Sequence, residues 1–291
     1  MTFLARKFLT SVGSRVVVHS RTLASKCQSA SSELEVSLDE DTGIQTIRLN
    51  RPNRLNAINS KLYAAIPAVL TEAAEDPKVK LTVLTGTGRF YSSGNDLADF
   101  TQKWVDAQSP KIAAEMSGQV LRNFVANFIE YPKILVAAVN GPAVGIAATS
   151  LGLFDAVYMS DQATLRTPFS STAQAPEGCA SYTFPRLMGP LKARELLLFD
   201  KTMSAAEAEK CGLCNEVFPH EVFQAKVQER LEEMSSFHPL VLERIKSIIR
   251  RHDVDVLHAV NEAESQHLIK VWQSPECEQA LQMLMAKLKS K

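Results

Sequence analysis

Ile134-Leu135-Val136-Ala137-Ala138-Val139-Asn140-Gly141-Pro142-Ala143-Val144-Gly145-Ile146-Ala147-Ala148 contains the change of structure on which the fold turns. Its first six residues are a continuous apolar run, as expected of a strand buried on both faces of a helix-covered sheet. Asn140-Gly141-Pro142 breaks that run, and small residues follow from Ala143 to Gly152. A strand that passes through a tight turn into a helix leaves the first helical amides without partners, at the positive end of the dipole. Such amides stabilise an oxygen that gains negative charge, and small side chains let a ligand approach the backbone. Small residues equally favour close helix packing, so both readings stand at this point.

Outward from this stretch, strands alternate with helices. Residues 34–38 and 44–49 alternate apolar and polar around Asp41-Thr42-Gly43, a hairpin signature. Arg51-Pro52-Asn53 stops the second strand. Leu62, Ala65, Ile66, Val69, Leu70 and Ala73 recur at helical spacing, with Pro67 an awkward resident. Residues 79–85 read as a strand, 89–97 as a loop and 110–130 as a long amphipathic helix. Residues 156–159 and 164–167 read as further strands. From Pro190 the pattern is mostly helical, with a capping box at Ser204-Ala205-Ala206-Glu207 and helices over 239–251, 254–271 and after Pro275. The pattern predicts an α/β core with an α-helical C-terminal lobe.

Composition narrows the function classes. With 45% hydrophobic and 22% charged residues among 291, the chain has a globular balance that excludes a disordered protein. The longest uncharged run, residues 134–154, is broken by Asn140, Gly141, Pro142 and Gly145, so no membrane span is expected. The net charge is zero, but residues 1–32 hold five basic side chains and no acid. The remainder therefore has 27 basic and 32 acidic side chains, which argues against a nucleic-acid partner. The Arg- and Ser-rich, acid-free residues 1–32 read as a mitochondrial presequence, or else as a tail with no address. The Lys289-Ser290-Lys291 ending is not the Ser-Lys-Leu that a peroxisomal receptor reads. Cys211 and Cys214 have CxxC spacing, but no second ligand pair is evident, and Gly212 suits a helix end. No metal site is expected. GxSxG, HExxH and phosphate-loop motifs are absent, and Gly86-Thr87-Gly88 lacks the third glycine of a dinucleotide fingerprint.

Two more segments carry chemistry. Ser92-Ser93-Gly94-Asn95-Asp96-Leu97 follows a strand, and its glycine permits a turn with outward-pointing amides; a plain connecting loop is the alternative. Ala175-Pro176-Glu177-Gly178-Cys179 holds the one charge between Thr167 and Pro185. In an apolar pocket such a carboxylate becomes a base or acid near neutral pH. Exposed on a loop, it would only favour a helix N-terminus.

Taken together, these segments resemble the enoyl-CoA hydratase/isomerase (crotonase) superfamily. The resemblance rests on Arg51-Pro52-Asn53-Arg54-Leu55-Asn56-Ala57, Phe90 to Leu97, Ala138 to Gly141, the strand after Asp155, and Thr202 to Ala208 with Gly212-Leu213 behind it. Val139 to Ile146 and Ala175 to Cys179 look most like the Δ3,Δ2-enoyl-CoA isomerases of the peroxisomal type, here in a form without the acyl-CoA-binding domain of many vertebrate relatives. The resemblance implies a ββα spiral core over roughly residues 33–230 with a C-terminal helical trimerisation lobe over 231–291. It implies a Δ3,Δ2-enoyl-CoA isomerase of unsaturated fatty-acid β-oxidation, with Glu177 as the catalytic base. The amides of Asn95 and Ile146 would form an oxyanion hole. Leu55, Ala57, Ser93, Gly94, Asn95, Asp96, Leu97 and Gly145 would border the substrate and its CoA.

Related hydratases use two glutamates to activate water. In this resemblance those positions fall at Thr149 and Phe169, neither of which can act as a carboxylate base. Moving a double bond needs one mobile carboxylate in a pocket without ordered water; Phe169 and Phe184 are candidates for excluding it. The implied partners are an acyl-CoA substrate and further copies of the chain, as a homotrimer or hexamer. No cofactor is implied beyond the CoA of the substrate. The expected location is the mitochondrial matrix, with the peroxisome as the alternative. Rival readings are another thioester reaction, hydration or hydrolysis, and a non-catalytic acyl-CoA- or RNA-binding protein.

Overall fold

A computed structural model of the protein describes residues 33–107 and 109–289. The expected presequence, residues 1–32, lies outside the described residues. β1 (Leu34–Asp39) and β2 (Ile44–Leu49) form the antiparallel hairpin, with the Asp39 carboxylate accepting from the N–H groups of Asp41 and Thr42 in its turn. α1 (Ser60–Glu75) leads to β3 (Leu81–Gly86). α2 (Leu97–Asp106) and α3 (Pro110–Glu130) lead to β4 (Ile134–Val139). α1 continues through Pro67 because Leu62, Ile66, Leu70 and Ala73 bury one continuous stripe. That burial outweighs the ~3 kcal/mol usually lost at an interior proline.

Beyond β4 come β5 (Ala143–Val144), α4 (Ile146–Thr149), β6 (Ala156–Ser160) and β7 (Thr164–Arg166). Then follow α5 (Ala180–Met188), α6 (Pro190–Phe199), β8 (Met203–Ser204), α7 (Ala205–Lys210) and β9 (Glu216–Phe218). The chain ends in α8 (Phe223–Ser235), α9 (Pro239–Arg250), α10 (Val254–Trp272) and α11 (Pro275–Lys289). The main sheet has the order β1-β2-β3-β4-β6-β9, and every pairing after the hairpin is parallel. β5, β7 and β8 make a second, small sheet. The α/β expectation, with helices gathered at the C-terminal end, agrees with this arrangement.

Both faces of the main sheet are covered. Ile47, Leu84, Leu135, Ala137 and Val139 pack with α1 and α3 in the larger core. Ile44, Leu81, Val83, Val136 and Ala138 point the other way, against Phe223, Val227 and Leu231 of α8. This is why the β4 run is apolar without alternation. Residue 230 lies within α8, which is part of this second layer. α9 inverts the usual helix pattern. Its one buried residue is Lys246, whose Nζ bonds the Asp155 carboxylate at 2.6 Å, while Arg250 pairs with the same carboxylate. Its apolar residues Leu240, Val241, Ile245, Ile248 and Ile249 are exposed.

Two asparagines from the sequence motifs fix the strand ends. Asn140 accepts from the Gly86 N–H and donates to the Gly88 carbonyl. Asn56 is fully buried and donates to the carbonyls of Thr87 and Phe90. Between them passes Gly141, where an added Cβ would lie 1.9 Å from the Arg89 carbonyl oxygen. No larger residue fits this crossing.

Candidate active site

The loop after β3 lies between two other segments and is bonded to both. Ser93 donates to the Leu55 carbonyl, Ile58 to that of Gly94, and Asp96 to that of Ile58. On the opposite side Val144 donates to the Ser92 carbonyl. Gly94 takes φ +80°, and a Cβ there would meet the Val144 carbonyl at 2.5 Å, so this position requires glycine. The Gly94 carbonyl and Asp96 N–H both face Ile58, and backbone alternation turns the Asn95 N–H away from it. Among the described residues that N–H has no hydrogen-bond acceptor. The Asn95 side chain accepts a short hydrogen bond from the Tyr63 hydroxyl.

Asp96 is held in place by its neighbours. Its carboxylate caps α2 and pairs with Arg51 at 2.9 Å, while the Arg51 guanidinium also bonds the Ala57 carbonyl. Leu55 has φ +52°, Ala57 is buried, and Leu97 is the first residue of α2. The turn after β4 differs from the direct strand-to-helix passage expected. A two-residue strand intervenes, and the helix opening at Ile146 is only four residues long. Ile146 is still at a helix start, behind Gly145.

Glu177 lies against this turn, with 4% of its surface exposed. The Ile146 N–H at the start of α4 is directed at its carboxylate and favours its charged form. Burial pushes its pKa from 4.5 up to about 8; the negative charge of Glu264 adds to the rise, and the Ile146 N–H opposes it. Tyr63 faces it from α1, and its hydroxyl is held protonated by burial and by the Glu177 charge. Glu177, Tyr63 and Asn95 share one cavity, closed by Phe100 and Lys103 of α2, by Ser117, Val120 and Leu121 of α3, and by Trp272 of α10. It encloses about 40 Å³. A binding pocket for a small molecule usually encloses ~300 Å³ or more, so a ligand of that size must displace a wall. α2 buries none of its residues and is the wall with least to lose.

The fold therefore brings Asn95, Gly145, Ile146 and Glu177 together, with Leu55, Ala57, Ser93 and Gly94 in the adjoining strand-like layer. Phe169 and Phe184 are correctly apolar but packed in the core, and neither lines the cavity. Phe100, Leu121 and Trp272 take that place. Sequence reading missed Tyr63, Trp272 and Glu264. A signal was present for the last: the buried stripe of α10 is Leu257, Asn261, Glu264, Ser265, Leu268 and Trp272. Polar residues at core-facing positions need partners, and those partners mark a site. Among the described residues no group of side chains is arranged to hold a metal ion.

Comparison with known proteins agrees with this geometry. The sequence profile described as enoyl-CoA hydratase/isomerase matches residues 39–291. The chain is 47% identical over 254 residues to Enoyl-CoA delta isomerase 2 of Homo sapiens, covering 87% of this chain but only 64% of that protein's length. It is 43% identical over 265 residues to Enoyl-CoA delta isomerase 3, peroxisomal, of Mus musculus, covering 91% and 82% of the two chains. An enoyl-CoA hydratase/isomerase from Pseudoalteromonas atlantica has the same fold, with TM-score 0.79, 29% identity, and 88% and 97% coverage. A β-hairpin leading into parallel strands, two amide-presenting loops and a family-wide match across the described core leave one assignment: the chain belongs to the enoyl-CoA hydratase/isomerase family.

Proposed function

We propose that the protein is a Δ3,Δ2-enoyl-CoA isomerase and that Glu177 carries the proton. The observation that carries this reading is a buried carboxylate, raised to a pKa of about 8, that faces a small cavity beside the Asn95 and Ile146 amides. Ionised Glu177 removes a proton from C2 of a 3-enoyl-CoA. The electron pair spreads over a dienolate and places negative charge on the thioester oxygen, where the two amides receive it. One such donor contributes ~3 kcal/mol to the transition state. The protonated Glu177 then returns the proton to C4, leaving the double bond between C2 and C3. As the thioester oxygen takes up the Ile146 N–H, Glu177 loses a stabilising donor and becomes the stronger base. CoA arrives as part of the substrate, bordered by Leu55, Ala57 and the Ser93–Leu97 loop, and the reaction calls on no further cofactor.

Hydration is less well supported. Thr149 gives its hydroxyl proton to the Gly145 carbonyl, and Phe169 is in the core. Glu264 is a second acid nearby, but its oxygens are bonded away from the cavity to Cys179 and Ser181. Incubation with trans-3-hexenoyl-CoA tests the reading. Formation of 2-hexenoyl-CoA by the wild type, and its loss in Glu177→Gln, are expected. A 3-hydroxyacyl product, or an undiminished mutant, would sink it.

The exposed apolar face of α9 supports assembly of copies into a trimer or a dimer of trimers. Sedimentation at micromolar concentration, with Ile245→Asp and Ile249→Asp as the disrupting pair, checks it; a monomeric wild type would contradict it. The location that residues 1–32 support is the mitochondrial matrix. A reporter fused to them should enter mitochondria, and a cytosolic signal would refute this. No helix among the described residues is long and apolar enough to cross a membrane.

A further inference from the structure

Building on Glu177 as the base, we propose that Glu264 is a positioning residue for the reaction. From α10 it grips the turn behind Glu177 and sets a second carboxylate beside the first. Its Oε2 accepts from the Cys179 N–H at 2.8 Å. Its Oε1 accepts from the Ser181 N–H at 3.0 Å and from the Ser181 hydroxyl at 2.5 Å. Two turns further along α10, the Trp272 indole N–H donates to Gln174 Oε1 at 2.5 Å. One helix thus holds the segment on both sides of Glu177, three residues before it and two to four residues after it. The turn needs holding, because Cys179 has φ +61°, a left-handed conformation that a residue with a side chain adopts at a cost.

The same contacts divide the labour between two neighbouring acids. The groups facing Glu177 are Glu264 from α10, Tyr63 from α1 and Lys103 from α2 across the cavity, while Cys179, two residues on, turns its thiol to the Leu257 carbonyl. Burial keeps the Tyr63 hydroxyl and the Cys179 thiol neutral. Lys103 is partly exposed and lies 3.9 Å from Asp99. Glu264 is therefore the acid of the set whose negative charge bears on Glu177. Burial pushes it upward too, but three donors at the start of α5 pull it back. Glu177 receives a single N–H and keeps its proton to higher pH. Two carboxylates in unlike surroundings separate in this way into a fixed charge and a working base.

The test follows kcat and kcat/KM against pH for the wild type, Glu264→Gln and Glu264→Asp, with Glu177→Gln as the control for the base. Glutamine removes the charge and keeps one acceptor. The acidic limb of kcat/KM should move down by about one pH unit, and kcat on the plateau should fall about tenfold. Aspartate keeps the charge but not the reach, so its limb should stay in place while kcat falls. A merely structural cap predicts lower melting temperatures in both variants with limb and plateau kcat unmoved, and that result overturns the proposal. Should the glutamine variant not fold, aspartate decides, and a kcat within about twofold of wild type overturns the positioning role. An active Glu177→Gln would instead overturn the base reading, so the two failures are distinct.

Discussion

Two hollows open near the C-terminal ends of the same parallel strands, on opposite sides of the sheet. One is the 40 Å³ cavity over Glu177. The other is a crevice of about 530 Å³ beside α8, bordered by Glu35, Arg48, Asn140 and His220. The larger one has mixed charges and open access to water, where a charge pair at contact distance is worth only ~1 kcal/mol. The smaller one holds the buried Glu177 carboxylate against Tyr63, Phe100, Leu121 and Trp272, together with Asn95, Lys103 and Ser117. A buried, perturbed acid, not volume, separates the candidate site from the crevice.

Changes at Glu177 should be the most damaging. Glu177→Gln should lower kcat by about 10²–10⁴-fold, read from 2-enoyl-CoA formation. The same variant should be more stable at high pH. Glu177 has its pKa raised from 4.5 to about 8 by folding, so its favourable contribution is intact below 4.5 and lost as pH rises through 8. Removing it should leave the variant ahead of wild type by up to roughly 5 kcal/mol above pH 8, and level with it near pH 4.5. Denaturant melts at the two pH values check this. In the wild type, kcat/KM should climb with pH through about 8 as the base loses its proton.

Next in size is Gly94→Ala, whose Cβ would collide with the Val144 carbonyl and displace the Asn95 amide. A loss of about 10²-fold in kcat, with KM less affected, is expected from one lost oxyanion donor. Phe100→Ala should act on specificity instead, shifting the chain-length preference of kcat/KM towards longer acyl groups by about tenfold. The crevice supplies the last comparison: Arg48→Ala should leave kcat/KM within about twofold of wild type. A large effect there would break the distinction between the two hollows.

The sequence disclosed the parts of this site that are local in the chain. The β4 run, its Asn140-Gly141 turn and the Gly94 loop each carry their own backbone logic, so a short window suffices to read them. The motif asparagines were legible as a pattern, while their work of tying Thr87, Gly88 and Phe90 together became apparent only in three dimensions. Tyr63 and Trp272 were hidden because their helical spacing is that of ordinary core residues. Glu264 was hidden for another reason: its partners lie more than 80 residues away. Its polarity on a buried stripe was visible, but what satisfied it was not. Phe169 and Phe184 erred the other way, since nearness in sequence to Glu177 did not bring them to its cavity.

The central claim is that one buried carboxylate moves one proton from C2 to C4. The most direct measurement uses 3-hexenoyl-CoA deuterated at C2, converted by the wild-type protein in ordinary water and analysed for the position of the label. Deuterium at C4 of the 2-enoyl product is the predicted result. Product formed at full rate with no deuterium at C4 would mean that water or a second group delivers that proton, and would contradict the account.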